Sequence, residues 1–237
     1  MNRETVAPRP PHPSHDLSTF PARLVQAGTR WRRGHRKKHE PWFFASDGHG
    51  RFNLSEPMGT CYLASSDDVA ARESIGPDIA RSGVVAATFL SGRVVSSLTL
   101  PETIVAAHVS SNEAFPFGVT VELCSMDTYE VPSQWAQELH ESGFEGIWYH
   151  PRFSPGADAR ALAVFGPAGA ATVSIRRFEG HPILPLGTID IAFGGQGWWR
   201  WGPPAPTTYF PTGPILPVLA YCECRYRPRW CYARCDP

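Results

Sequence analysis

Short apolar runs rich in β-branched residues recur between residues 60 and 192, and only two segments between them have helical character. Runs of this length and composition are typical of buried strands. The pattern predicts an α+β fold, with one domain built on a mixed sheet. The predicted strands are residues 60–64, 84–90, 94–100, 103–109, 147–149, 161–165 and 188–192.

Capping residues mark both predicted helices. The first follows the serines at 65–66, has two aspartates in its first turn, and is expected to stop at Gly76-Pro77. The second has Pro132 in its first turn and ends near Gly143.

Composition divides the chain into three parts. Residues 1–20 are rich in proline and are predicted to be a flexible leader, and residues 21–193 form the folded domain. Residues 194–237 are a tail rich in Pro, Trp and Cys whose role the sequence leaves open. No apolar run approaches the ~20 residues of a membrane helix. The first residues do not resemble a secretory signal, so we expect a cytoplasmic protein without a membrane partner.

The cysteines do not predict a metal site. Cys61 and Cys124 lie alone in apolar stretches and are expected to be buried thiols. Four more lie near the end of the chain without the C-x2-C spacing of common zinc sites, so reduced thiols are expected there. They are Cys222, Cys224, Cys231 and Cys235.

Glu73 is the acidic residue that attracts attention first. On the predicted helix it shares a face with Val69 and Ala70, whereas Arg72 can pair with Asp68 on another face. A carboxylate directed toward a core needs a partner or a function, because unpaired burial is costly. A solvated helix edge is the alternative that periodicity leaves open.

Two groups of basic residues are candidates for binding anions. Arg51 follows Gly48-His49-Gly50 and lies near several aromatic residues, which suits a planar ligand that carries phosphate. Residues 30–38 form a basic run that can contact nucleic acid, lipid, a ligand diphosphate or only solvent. The chain has 22 Lys plus Arg residues and 22 Asp plus Glu residues, so its net charge gives no information about a polyanionic partner.

Two blocks of sequence carry a resemblance to a known family. The first contains WRRGH, PWFFASDGHGRFNL and GTCYLASSDDVAARESIG, and the second is GFEGIWYHPRFSPGADARALAVFG. Together they resemble the RES family of NAD-consuming toxins from bacterial toxin–antitoxin pairs. In the first block Arg51, Tyr62 and Glu73 are each separated by eleven residues, as in the family's central Arg, Tyr and Glu. The resemblance implies an ADP-ribosyltransferase-like fold with a mostly antiparallel sheet.

The resemblance also implies a set of site residues. Glu73, Arg51 and Tyr62 are the expected catalytic residues, with Tyr62 packing on the nicotinamide end of the substrate. Arg32 or Arg33, Arg152 and Ser154 are the expected ligand-binding residues. The chain departs from the family where a serine is expected, because Pro151 occupies that position and Ser154 lies three residues later.

The implied activity is cleavage of the nicotinamide–ribose bond of NAD, by a phosphorylase or a glycohydrolase of the transferase type. NAD is then a substrate and inorganic phosphate a co-substrate, with no prosthetic group and no metal. A carboxylate would stabilise the oxocarbenium-like ribose, and the cationic leaving group needs no general acid. The implied partner is a cognate antitoxin, and the sequence leaves homo-oligomerisation open.

Two alternatives remain. Pro151 favours a catalytically weak relative that binds a nucleotide or a protein. Binding of nucleic acid through residues 30–38 is less favoured, because no recognition motif follows that run.

Overall fold

A computed structural model describes residues 8–171, 180–182 and 198–200 of the chain. All of these residues belong to one compact unit, Met1–Ala205. The predicted strand at 188–192 lies outside the described residues, as does the predicted tail apart from its short strand at Trp198–Arg200.

The described residues form strands and helices in the following order. The strands are β1 (Ala22–Val25), β2 (Arg30–Arg36), β3 (Phe43–Phe44), β4 (Met58–Ala64), β5 (Val84–Ala86), β6 (Arg93–Thr99), β7 (Ile104–His108), β8 (Gly146–Tyr149), β9 (Ala161–Pro167), β10 (Gly169–Ala170), β11 (Gly180–Pro182) and β12 (Trp198–Arg200). The α-helices are α1 (Asp67–Ser82), α2 (Ala87–Ser91) and α3 (Glu130–Glu141), and 3-10 turns lie at Leu17–Thr19, Asn112–Phe117 and Val121–Cys124.

The main sheet has eight strands in the order β1-β7-β8-β9-β4-β2-β6-β11. The β7–β8 pair is parallel, and the other neighbouring pairs are antiparallel. Strands β3 and β10 form one small ribbon, and β5 and β12 form another. The structure therefore confirms the predicted α+β class and its mixed, mostly antiparallel sheet.

Strand β9 lies at the centre of the sheet and is buried on both faces. Ala161, Ala163 and Phe165 join a cluster that includes α3 residues, whereas Leu162 and Val164 join the cluster on the opposite face. A strand buried on both faces is expected to be almost wholly apolar rather than alternating. This accounts for the sequence ALAVFG, and it gives β4, which pairs with β9, a rigid neighbour.

Helix α1 continues past the predicted stop at Gly76-Pro77, so that boundary is wrong. The helix runs to Ser82 with Pro77 inside it. Proline has no N–H to donate to the carbonyl of Glu73, four residues earlier, but it does not prevent the helix from continuing. Glycine at position 76 has a packing reason, because a Cβ there would lie 2.5 Å from Cδ2 of Phe153.

The predicted strand at 84–90 is also wrong beyond its first residues. Strand β5 ends at Ala86, and helix α2 follows until the chain reaches its C-cap at Gly92. A short apolar run is compatible with either structure, and alanine and leucine favour helix.

Part of the predicted leader is packed rather than free. Leu17 and Phe20 are buried in the same cluster as Trp135 of α3. The Trp135 indole N–H also donates to the carbonyl of Arg9 over 2.8 Å. The packed part of the chain therefore begins before residue 21.

Candidate functional site

Arg51, Tyr62 and Glu73 line one pocket with a volume of about 380 Å³. Arg51 comes from the loop before β4, Tyr62 from β4, and Glu73 from α1. The volume lies within the range of about 300–1,000 Å³ that is usual for small-molecule sites. The structure therefore brings together the three residues that the family resemblance singles out.

The Glu73 carboxylate is held by the turn that follows β8. Its Oε1 accepts the backbone N–H of Phe153 at 2.7 Å and the Ser154 hydroxyl at 3.4 Å. Burial raises the pKa of Glu73, and the Phe153 N–H and the positive charge of Arg51 oppose that rise. The side chain is thus a partly desolvated acid with fixed donors on one side.

The turn places the predicted ligand-binding residues unequally. Ser154 is buried and directs its hydroxyl toward Glu73. Arg152 pairs instead with Asp127 at 2.7 Å and is not among the residues that line the pocket. Pro151, at the position where the serine was expected, is fully buried.

Within the described residues, one nitrogen of the Arg51 guanidinium, Nη2, has a hydrogen-bond partner, and another, Nε, has none. Nη2 donates to the carbonyl of Met126 at 3.1 Å, and the guanidinium carbon lies 5.4 Å from the centre of the Tyr129 ring. Nε is buried and has no hydrogen-bond partner within the described part of the chain. The guanidinium lines the pocket, and such a cation is suited to an anionic ligand.

The Tyr62 hydroxyl belongs to a hydrogen-bond network in the loop that carries Arg51. It accepts the backbone N–H of Phe52 and donates to Asn53 Oδ1, both at 2.8 Å, and Asn53 Nδ2 donates to Asp47 Oδ1 at 3.0 Å. Burial raises the pKa of Tyr62 well above its usual value, so the hydroxyl keeps its proton. A Cβ at Gly50 would lie 2.5 Å from this hydroxyl, which explains the glycine.

Arg32 and Arg33 lie on opposite faces of β2, as neighbours in a strand must. Arg32 lines the pocket, pairs with Asp67 at 2.7 Å and donates to Ser97 Oγ at 2.8 Å. Arg33 donates to the carbonyl of Pro41 at 2.6 Å and to the buried Cys61 Sγ at 3.0 Å. Of the two predicted alternatives, only Arg32 reaches the pocket.

The family model of the RES domain matches residues 29–186, which is more than half of the chain. The chain belongs to the RES family. The matched RES region contains Arg32, Arg51, Tyr62, Glu73 and the turn after β8.

Among solved structures, this chain is similar to a chain in the crystal structure of the M. tuberculosis MbcT–MbcA toxin–antitoxin complex. The TM-score is 0.48 at 12% identity, over 67% of this chain and 86% of that chain. The search of curated proteins found no match.

In the described residues of the RES domain, no helix has the length and apolar character needed to span a membrane. Nor do these residues include a group of three or more His, Cys, Asp or Glu side chains that could hold a metal ion.

Tyr149 and Arg93 are among the residues that line the RES pocket and that the sequence did not single out. Tyr149, at the end of β8, is buried there, and its pKa is raised by burial and by the charge of Glu73. Arg93 of β6 donates to Ser74 Oγ at 2.8 Å, and burial lowers its pKa. Tyr149 could have been suspected from its position just before the turn. Arg93 could not, because its contact with α1 depends on sheet order.

Proposed function

We propose that this RES domain cleaves the nicotinamide–ribose bond of NAD, as a phosphorylase or a glycohydrolase, and acts as a toxin that a cognate antitoxin restrains. The observation that carries the proposal is a partly buried carboxylate, Glu73, that shares one pocket with the guanidinium of Arg51. Membership of the RES family supports it.

The reaction needs a fixed negative charge beside the ribose. As the C1′–N bond breaks, its electron pair moves to the nicotinamide nitrogen, and neutral nicotinamide leaves an oxocarbenium-like ribose. Glu73 would face that cation, and its donors at Phe153 and Ser154 would hold it in place. No proton has to be given to the leaving group.

The acceptor completes the reaction by forming a new bond to C1′. An oxygen of inorganic phosphate yields ADP-ribose carrying a 1-phosphate, whereas water yields ADP-ribose and releases a proton. Arg32 and Arg51 would hold the diphosphate of NAD, since both are cationic and line the pocket.

The proposal also covers the setting of this activity. A protein that depletes NAD is harmful in the cytoplasm, where NAD is used, so its site has to be restrained. A cognate antitoxin that covers the pocket would do this. The proposal includes the likeness to ADP-ribosyltransferase-like toxins that the family resemblance implies.

The decisive experiment measures nicotinamide release from NAD by the purified full chain, with and without inorganic phosphate, and identifies the product by mass spectrometry. We expect release, and we expect Glu73→Gln to abolish nearly all of it without loss of fold. Phosphate-dependent formation of the 1-phosphate would identify a phosphorylase, and ADP-ribose alone a glycohydrolase. No release under either condition would contradict the proposal.

Pro151 supports a second candidate, a weak relative that binds NAD or a protein without turning NAD over. Proline at this position removes both a hydroxyl and a backbone donor from the turn beside Glu73. Saturable binding of NAD by calorimetry, with no nicotinamide released, would favour this candidate.

A further inference from the structure

We propose that Gly76 and Phe153 are positioning residues: the Phe153 ring rests on Gly76 of α1 and thereby aims the Phe153 N–H at the Glu73 carboxylate. The inference rests on the proposed function, because it concerns the same carboxylate. It adds two residues that neither the family motif nor the sequence analysis assigned to the site.

The contact between Phe153 and Gly76 leaves no space for a side chain on the helix. A Cβ built on Gly76 would lie 2.5 Å from Cδ2 and 2.8 Å from Cβ of Phe153. Gly76 follows Glu73 by three residues, so both lie on one face of α1. The ring therefore rests on the helix one turn away from the carboxylate.

The same residue supplies the contact with the helix and the hydrogen bond to Glu73. The Phe153 N–H lies 2.7 Å from Glu73 Oε1, and the ring lines the pocket. Two residues earlier, the buried Pro151 fixes its own φ, which restricts the start of the turn. The position of the ring thus determines where the backbone donor points.

Helix propensity argues that this glycine is retained for a reason other than helix formation. Glycine and proline are the two least favourable residues in a helix interior, and they stand side by side at 76 and 77 while α1 continues to Ser82. Alanine at position 76 would favour the helix itself. Gly76→Ala should strengthen the helix itself, so a loss of activity in this variant would have to arise from another effect.

The groups that face Glu73 determine the sign of the expected effect. Arg51 faces it from the loop before β4, Tyr149 from β8, and the N–H groups of Arg152 and Phe153 and the Ser154 hydroxyl from the turn. Burial raises the pKa of Glu73, and the Phe153 N–H is the largest of the effects that oppose it. Loss of that hydrogen bond should raise the pKa further.

The test is a double-substitution cycle of Gly76→Ala and Phe153→Ala, read from the pH dependence of kcat for nicotinamide release. In the parent background, Gly76→Ala should move the acid limb upward by about one pH unit and so lower kcat about tenfold at pH values on that limb. In the Phe153→Ala background the ring is gone and only Cβ of residue 153, at 2.8 Å, remains close to the new methyl group, so Gly76→Ala should have a much smaller effect.

Gly156→Ala is the matched control, because it lies in the same loop and a Cβ there meets nothing within 4 Å. It should leave the acid limb where it is in the parent. If Gly76→Ala leaves the acid limb and kcat as in the parent, or lowers activity equally in both backgrounds, the inference is wrong.

A measurement that does not need turnover separates this inference from the proposed function. In NMR titrations of the isotope-labelled chain, the amide proton of residue 153 should shift with the ionisation of Glu73, and Gly76→Ala should abolish that shift. A parent that releases no nicotinamide contradicts only the proposed function. An amide of residue 153 that does not respond to Glu73 contradicts the inference.

Discussion

The Tyr62 hydroxyl donates a 2.8 Å hydrogen bond to Asn53 Oδ1 and accepts the Phe52 N–H, so one side chain of β4 fixes both residues that follow Arg51. The family resemblance implied that this tyrosine is a catalytic residue that packs on the nicotinamide end of the substrate. In the structure its hydroxyl holds the loop that presents the arginine.

Tyr62→Phe should therefore lower both stability and activity. It leaves the Phe52 N–H and Asn53 Oδ1 without their partner, which should cost about 1–3 kcal/mol in the free energy of unfolding. The looser loop should reduce NAD cleavage about tenfold or more. Urea denaturation and nicotinamide release measure the two effects. A double-mutant cycle with Asn53→Ala should give a coupling energy well above zero, and additive losses would argue against the network.

Glu73→Gln should raise stability at neutral pH while removing activity. The raised pKa means that the ionised carboxylate is less favourable in the folded than in the unfolded protein. The stability linked to the protonated form is complete below the ordinary pKa of 4.5 and is lost as pH rises through the folded value. The gain from Gln should thus be present at pH 7 and vanish below about pH 4.5.

The same substitution should lower NAD cleavage about a hundred- to a thousandfold. In the parent, activity should fall as pH decreases through the raised pKa of Glu73, because the reaction needs the ionised form. Denaturation at several pH values and a pH–rate profile provide the measurements. Glu102→Gln, at an exposed position, is the control and should change neither. A stability difference that persists unchanged to pH 3 would contradict the argument.

Arg32 and Arg33 should respond differently to replacement by alanine. Arg32→Ala removes a cation from the pocket and should raise the KM for NAD about tenfold or more. Arg33→Ala breaks contacts with Pro41 and Cys61 on the other face, so it should lower the free energy of unfolding by about 1–3 kcal/mol. Steady-state kinetics and denaturation of both variants decide the matter. Equal KM values for the two variants would show that NAD binding and stability are not divided between Arg32 and Arg33.

Charge reversal of Lys37 and Lys38 should leave NAD turnover nearly unchanged. Both side chains are exposed, and neither lines the pocket. Kinetics of Lys37→Glu/Lys38→Glu, beside a circular dichroism spectrum that verifies the fold, test this. A large loss of turnover with the fold intact would make the basic run a substrate surface.

Pro151→Ser should change NAD cleavage only modestly. The Phe153 N–H and the Ser154 hydroxyl already donate to Glu73, so a new hydroxyl would add at most one neutral hydrogen bond to the substrate. Such a bond is worth about 0.5–1.5 kcal/mol, or roughly tenfold in rate. Comparison of kcat/KM for the two proteins measures the effect. Activity that appears only in the serine variant, by several orders of magnitude, would mean that the natural chain is a binding module.

The sequence predicted the parts of the site that depend on spacing and periodicity. Glu73 faces inward because it shares a helix face with Val69 and Ala70, and the predicted Arg72–Asp68 ion pair is present at 2.8 Å. The buried state of Cys61 and Cys124 is confirmed as well. These features are local, so the neighbouring residues are enough to predict them.

Other features depended on partners that are distant in the chain. Glycine normally signals the end of a helix, but Gly76 lies inside α1. The Phe153 ring rests on it there. Leu17 was assigned to a flexible leader, yet it packs in the cluster that contains Trp135. Hydrophobic patterning does not reveal such pairs, because the contact exists only once the sheet has formed.

The antiparallel pairing of β4 with β9 also determines when the pocket can exist during protein synthesis. The donor that holds Glu73 lies 80 residues after it in the chain, and β9 follows later still. A nascent chain still on the ribosome therefore lacks one wall of the site until residue 167 has left the exit tunnel. Any fragment that ends before β9 should lack the activity proposed for the whole domain, even if it contains Arg51, Tyr62 and Glu73.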